Sequence, residues 1–262
     1  MPPRIAIPMP HSTDHEYGER AIPQYERAVA LAGGEPIRIP LDRSSSEVKA
    51  MIANCAGVLL PGSNADVNPA RFKQEKSLHT ASADLKREAV DDLLLEDAYT
   101  HRKPVLGICY GLQSLNVFRR GSLIQHIPDF LPEETRAKVN HEAGKKVAVA
   151  HSVEIVSDSL LENIVCGDSR LRLSGRARLG GAVPDPSKLM LAVNSSHHQS
   201  ADSVGEGLRI VARCPDDGII EALEGTVPDH FVLAVQWHPE RSIEDPESRN
   251  IFGTLVAAAK KR

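Results

Sequence analysis

One stretch, Pro104-Val105-Leu106-Gly107-Ile108-Cys109-Tyr110-Gly111-Leu112-Gln113, constrains the fold more than any other part of the chain. Its apolar run has the length of a buried strand, and the pattern turns helical just after the cysteine. The expectation is a strand-turn-helix with a thiol at the bend. Gly107 and Gly111 flank the cysteine and relieve crowding at a tight turn. The first turn of the following helix brings unpaired N–H groups and partial positive charge, which favour a thiolate over a thiol. The alternative is a cysteine that serves as a small buried hydrophobe, and residues elsewhere decide between the two.

The flanking pattern extends this unit into an α/β fold. Arg4–Pro8 reads as a strand, residues from about Arg20 to Leu31 as an amphipathic helix stopped by Gly33-Gly34, and Pro36–Pro40 as a second strand. Ser44-Ser45-Ser46 starts a helix carrying Val48, Met51 and Ile52, and Gly57–Leu60 is a third strand running into Pro61-Gly62-Ser63. Asn64–Thr80 is polar and reads as a long loop, and Ser82–His101 returns to a helical pattern. Strands alternating with helices at this spacing predict a flavodoxin-like, doubly wound, mostly parallel sheet with helices on both faces. The second half differs. Leu131–Gly144 reads as loop, Lys146–Val156 alternates like a strand, and Ser157-Asp158-Ser159 caps a short helix. Leu189–Val193, Leu208–Ala212, Ile219–Leu223 and Phe231–Gln236 are further strands joined by turns such as Asp216-Asp217-Gly218, which predicts an additional antiparallel region. A last helix covers about Pro246–Ala259, capped at Asp245. The whole of 1–262 is expected to be one domain.

Charge and cysteine usage narrow the function. The 31 basic and 35 acidic residues give a net charge of -4, without the basic footprint of a nucleic-acid binder. No apolar run approaches a membrane span and no h-region follows Met1-Pro2-Pro3-Arg4, so a cytoplasmic protein is expected. Cys55, Cys109, Cys166 and Cys214 are widely spaced, which predicts free thiols rather than a zinc knuckle or a disulfide framework.

A cysteine nucleophile needs a base, and imidazole titrates in a useful range, at roughly 6.5 when unperturbed. The strand Phe231–Gln236 ends in Trp237-His238-Pro239-Glu240, which puts His238 at a strand's carboxyl end. Glu240, two residues on and past a stiffening proline, can reach back to fix the tautomer of His238. The backbone N–H groups of Gly62 and Tyr110 are the candidate donors for a tetrahedral oxyanion. All of these lie at carboxyl ends of strands, where open parallel sheets place their sites.

Taken together, Pro-Gly-Ser after the third strand, Gly-Ile-Cys109-Tyr-Gly-Leu-Gln and Gln-Trp-His238-Pro-Glu240 resemble the class I glutamine amidotransferase superfamily. In that superfamily a cysteine, a histidine and a glutamate hydrolyse a γ-glutamyl amide, and the resemblance implies that role for Cys109, His238 and Glu240. Val193-Asn194-Ser195-Ser196-His197-His198-Gln199 and Leu59–Pro69 are similar to segments of γ-glutamyl-γ-aminobutyrate hydrolases within the superfamily. Tyr110 stands where that group often has arginine, and Arg119-Arg120-Gly121 replaces a more usual Gly-Gly. The resemblance implies Gln113, Ser196, His197, His198 and Gln199 as substrate-binding residues, with a small γ-glutamyl substrate. It implies no cofactor, no nucleic acid or membrane partner, and a homodimer as the assembly. Tyr110, if it faces the pocket, would offer a hydroxyl in place of a cation to the leaving amine.

No metal site is expected. Adjacent residues on a strand point to opposite faces, so His197-His198 does not make a ligand pair, and His11 and His15 fall between the first strand and the first helix. A hydrolase is favoured over an ammonia-donating glutaminase subunit because no residues remain for a synthetase. A non-catalytic binding protein on the same fold is the third reading.

Overall fold

The computed structural model describes residues 1–144, 146–166 and 189–261. Five strands alternate with helices in the parallel half. These are β1 (Arg4–Pro8), α1 (His15–Leu31), β2 (Glu35–Ile39), α2 (Ser45–Ile52), β3 (Gly57–Leu60), α3 (Leu85–His101), β4 (Val105–Ile108) and α4 (Tyr110–Phe118), with the fifth strand supplied much later in the chain. After β5 (Leu123–Ile124), two short helical segments follow, α5 (Ile127–Phe130) and α6 (Glu133–Arg136). Then come β6 (His151–Ile155), α7 (Leu160–Cys166), β7 (Leu189–Val193), β8 (Ser200–Ala201), β9 (Leu208–Arg213), β10 (Ile220–Gly225), β11 (Val232–Val235) and α8 (Pro246–Lys260).

Nine strands form one sheet in the order β2-β1-β3-β4-β11-β10-β9-β6-β7, and β5 pairs with β8 in a separate two-stranded sheet. Pairing is parallel from β2 to β11 and antiparallel from there to β7. This is the doubly wound, flavodoxin-like sheet with an antiparallel extension that the sequence predicts. One core packs α1, α7 and α8 on one face through residues such as Ile22, Leu161 and Phe252. A second packs α2, α3 and α4 on the other through Val48, Leu94 and Leu112. Both faces are covered, as the continuous apolar runs of the parallel strands require.

Three boundaries differ from expectation for local reasons. α1 begins at His15 rather than near Arg20, because the Asp14 side chain accepts from Tyr17 N–H and caps an otherwise polar first turn. The strand expected over Lys146–Val156 starts only at His151, where its partner begins at Val193; Val147 and Val149 stay exposed. The Asn64–Thr80 loop holds a 3-10 turn over Pro69–Phe72, and Leu131–Gly144 holds α6. The capping box of α2, with Ser44 and Glu47 exchanging hydrogen bonds, is present as the serine run implies.

The sheet's directions decide what can meet. β3, β4, β11 and β7 deliver their carboxyl ends to one edge, where the antiparallel β6 and β10 begin. That edge collects loops from both halves of the chain.

Candidate active site

Cys109 sits between β4 and α4 with φ 53° and ψ -106°, a left-handed conformation costly for any residue with a Cβ. Such a bend is tolerated because the backbone around it is held. Cys109 N–H donates to Val235 O of β11 at 2.8 Å, and its carbonyl accepts from Leu112 N–H at 3.0 Å. Gly111 is required by contact: a Cβ there would lie 2.1 Å from Leu60 O, so α4 could not approach β3 with any other residue.

His238 follows β11, and its Nδ1 lies 2.7 Å from Glu240 Oε1. Both are buried. Burial opposes the charge on Glu240, but His238 and Arg241 outweigh it and hold the carboxyl below its usual value, so Glu240 is the acceptor and His238 Nδ1–H the donor. The lone pair of the imidazole is thereby placed on Nε2. Gly62, after β3, shows where these groups meet: a Cβ added to it would lie 3.1 Å from His238 Cε1 and 3.7 Å from Cys109 Cβ. Cys109, the His238 imidazole and the Gly62 backbone therefore lie beside one another.

The electrostatics depart from the sequence expectation of a thiolate. Burial pushes the Cys109 thiol up to about 12, and the Arg241 charge and the Tyr110 N–H facing the sulfur only moderate this. The helix terminus is outweighed by the loss of water around the sulfur. At neutral pH Cys109 is a thiol that must give its proton to a neighbour.

The two candidate oxyanion donors are placed differently. Tyr110 N–H is in the first turn of α4 beside the sulfur, whereas Gly62 N–H donates to Tyr25 Oη at 3.1 Å. The Tyr110 side chain does not offer a hydroxyl to an amine. It is buried under the Arg87 guanidinium, 4.9 Å from the ring centroid, and its enclosed hydroxyl has no hydrogen-bond partner among the described residues.

The segment after β7 divides by face. Ser196 and His198 are half-buried, and His198 Nε2 lies 3.0 Å from Asp66 Oδ1. His197 and Gln199 turn inward, and Gln113 Nε2 donates to Gln199 O at 3.2 Å, which braces the wall behind them. His11 Nδ1 accepts from Thr13 and Asp14 N–H in a local turn. His15 lies in α1 and not in the loop before it.

Three contributors were not singled out from the sequence. The Asn194 amide grips the His238 backbone at both ends, Nδ2 to His238 O at 2.9 Å and His238 N–H to Oδ1 at 3.0 Å. Arg87, fully buried in α3, donates to Pro61 O at 2.7 Å, Pro10 O at 3.1 Å and Asp91 Oδ1 at 2.7 Å, while Asp91 also accepts from Ser114 Oγ of α4. It ties the turn holding Gly62 to the helix behind Cys109. Tyr25 holds Gly62 N–H. The Arg87 and Asp91 spacing was visible, but an i,i+4 ion pair reads as a solvated helix face until burial is known.

Comparison with known proteins places these features. The sequence profile of the family described as peptidase C26 matches residues 5–240. A glutamine amidotransferase-like protein of Rickettsia prowazekii is 29% identical, the match covering 90% of this chain and 88% of that one. A γ-glutamyl-γ-aminobutyrate hydrolase of Escherichia coli K12 is 31% identical, covering 90% and 85%. The structure of PurLQS from Thermotoga maritima superimposes with a TM-score of 0.57 at 14% identity over 98% of this chain and 99% of that one, a likeness of fold.

Proposed function

Because the chain belongs to the peptidase C26 family, a group of glutamine amidotransferase-like hydrolases, we propose that it cleaves γ-glutamyl amides through Cys109, His238 and Glu240. The observation that carries this reading is the convergence of the Cys109 and His238 side chains on Gly62, with His238 Nδ1 held by Glu240 at 2.7 Å.

His238 Nε2 takes the thiol proton as Cys109 Sγ attacks the amide carbon. Negative charge then develops on the carbonyl oxygen, stabilised by Tyr110 N–H and by Gly62 N–H, which the oxyanion takes over from Tyr25 Oη. The tetrahedral species collapses as the imidazolium gives its proton to the leaving amine, leaving a γ-glutamyl thioester on Cys109. Water, deprotonated by His238, attacks the thioester; glutamate leaves and the thiol recovers its proton. Glu240 keeps the tautomer and supports the imidazolium throughout.

The E. coli relative's name makes γ-glutamyl-γ-aminobutyrate the first substrate to test. Ser196 and His198, both half-buried and the latter paired with Asp66, are the groups of the 194–199 segment offered to the leaving amine. Replacing Cys109 by alanine is expected to reduce glutamate release by at least about 10⁴-fold with an unchanged fold. An undiminished rate would overturn the mechanism. In a panel of γ-glutamyl amides compared by kcat/KM, a γ-aminobutyrate conjugate no faster than glutamine would remove the substrate assignment alone. Activity on glutamine appearing only with an added synthetase would instead identify an ammonia-donating subunit.

A further inference from the structure

At the edge where β6 and β10 begin, four buried side chains point at one another. They are His141 from the segment before β6, His151 at the start of β6, His197 after β7, and Glu221 in β10. Their nearest ligand atoms lie within 4.8 Å of one another. From Glu221 Oε1 the distances are 3.2 Å to His141 Nδ1, 3.5 Å to His151 Nε2 and 3.6 Å to His197 Nε2. Among the described residues, none of these four atoms, nor Glu221 Oε2, has a hydrogen-bond partner.

Each imidazole is held from outside with one ring nitrogen facing inward. His197 Nδ1 is 2.9 Å from Gln199 O and His151 Nδ1 is 3.3 Å from Ser152 O, so each Nδ1 carries the proton and each Nε2 is a lone pair. His141 Nε2 is 2.7 Å from Asp217 Oδ2, which turns its Nδ1 toward Glu221 Oε1. The lone pairs of His151 and His197 aimed at a carboxylate oxygen inside the protein repel it, and a cation at the centre, displacing any proton from His141 Nδ1, reverses the sign. The three distances from Glu221 fit: four ligands at about 2.0 Å around a tetrahedral ion stand about 3.3 Å apart. A carboxylate or a carbonyl behind each imidazole is the outer arrangement that orients metal-bound histidines.

We propose that His141, His151, His197 and Glu221 bind a divalent first-row transition metal ion, for which zinc is the best match. Three nitrogens and one oxygen in a tetrahedral array suit zinc, and four protein ligands close the coordination, which makes the site structural. The ion joins the loop before β6, two strands and the 194–199 segment. That segment is already zipped to His141, whose carbonyl accepts from Ser195 Oγ at 2.7 Å and from His197 N–H at 2.9 Å. A surface cleft of about 130 Å³ is lined by His141 and His197. His197 and His198 do face opposite ways, so the argument against a His197-His198 pair holds, but the other ligands for His197 come from distant parts of the chain. The competing account needs no metal: His141 as an imidazolium bridging Asp217 and Glu221.

The test uses the untagged full chain, supplied with zinc and then dialysed against a weak chelator. Metal analysis is expected to find about one zinc per chain. Replacement by cobalt(II) is expected to give the intense visible bands of a tetrahedral site. His151→Ala and Glu221→Gln are expected to fall below about a tenth of an equivalent, and Asp217→Asn to weaken zinc binding about 10- to 100-fold. His79→Ala, in the exposed group His79, His126 and Asp129, is expected to keep the ion. Wild-type protein that holds no stoichiometric zinc, cobalt, nickel or iron(II) would overturn the proposal in favour of the imidazolium. So would an ion lost with His79→Ala but kept in both His151→Ala and Glu221→Gln. Should those variants fail to fold, anomalous scattering at the zinc edge from wild-type crystals decides: a peak among the four side chains supports the site, and its absence there refutes it.

Discussion

The two halves of the sheet reach the same edge with different kinds of information. In the parallel half the proposed catalytic groups come from short, contiguous motifs: Cys109 at one bend, and His238 with Glu240 two residues apart after the neighbouring strand. In the antiparallel half, His141, His151, His197 and Glu221 are dispersed over four separate segments and meet only through pairing. Local chemistry can be read from spacing, whereas an assembly made by sheet register can be read only once the register is known.

The sharpest way to break this comparison is to disable the compact half and watch the dispersed one. Glu240→Gln removes the carboxylate that fixes the tautomer of His238, and kcat is expected to fall about 10²- to 10⁴-fold. Zinc content should not change. Steady-state kinetics and metal analysis on one preparation check both, and a variant that lost its metal would show the halves to be one unit.

Asn194→Ala tests the link between them. Asn194 follows β7 in the antiparallel half yet holds the His238 backbone with two buried hydrogen bonds. Loss of the amide leaves buried backbone groups unpaired, and denaturant unfolding is expected to show about 1–3 kcal/mol of destabilisation. A larger fractional loss in kcat than in KM is expected, since His238 is positioned rather than replaced.

The smallest effect concerns His198 and Asp66. The hydrogen bond to Asp66 raises the pKa of His198 above its ordinary value, with burial opposing. A histidine whose folded pKa is raised contributes stability that is full below the unfolded value near 6.5 and is lost as pH rises through the higher folded value. Asp66→Asn should therefore lower Tm more at about pH 6 than at about pH 9, and equal shifts at both would show that no charge pair is involved.

Much of the fold was legible because its signals are local. The capping box at Ser44 and Glu47, the apolar runs of β3, β4 and β11, and the glycines around Cys109 each act within a few residues. What was missed depends on burial or on distance in sequence. The thiolate expectation failed because the helix terminus is visible in sequence while the desolvation of Cys109 is not. Lys146–Ala150 alternates like a strand, yet among the described residues the β6–β7 ladder starts only at His151 opposite Val193. Tyr110 and Arg87 look like surface chemistry until they are found stacked in the interior.

The position of β11 beside β4 sets a timetable as well as a geometry. The two strands pair in parallel, Val232 with Val105 and Val235 with Ile108, across more than a hundred intervening residues. During synthesis the segment bearing Cys109 leaves the ribosome long before the one bearing His238 and Glu240, and early structure forms without them. On the proposed mechanism, a nascent chain carries Cys109 before it has the imidazole that takes its proton, and the nucleophile is completed only when β11 takes its central place beside β4.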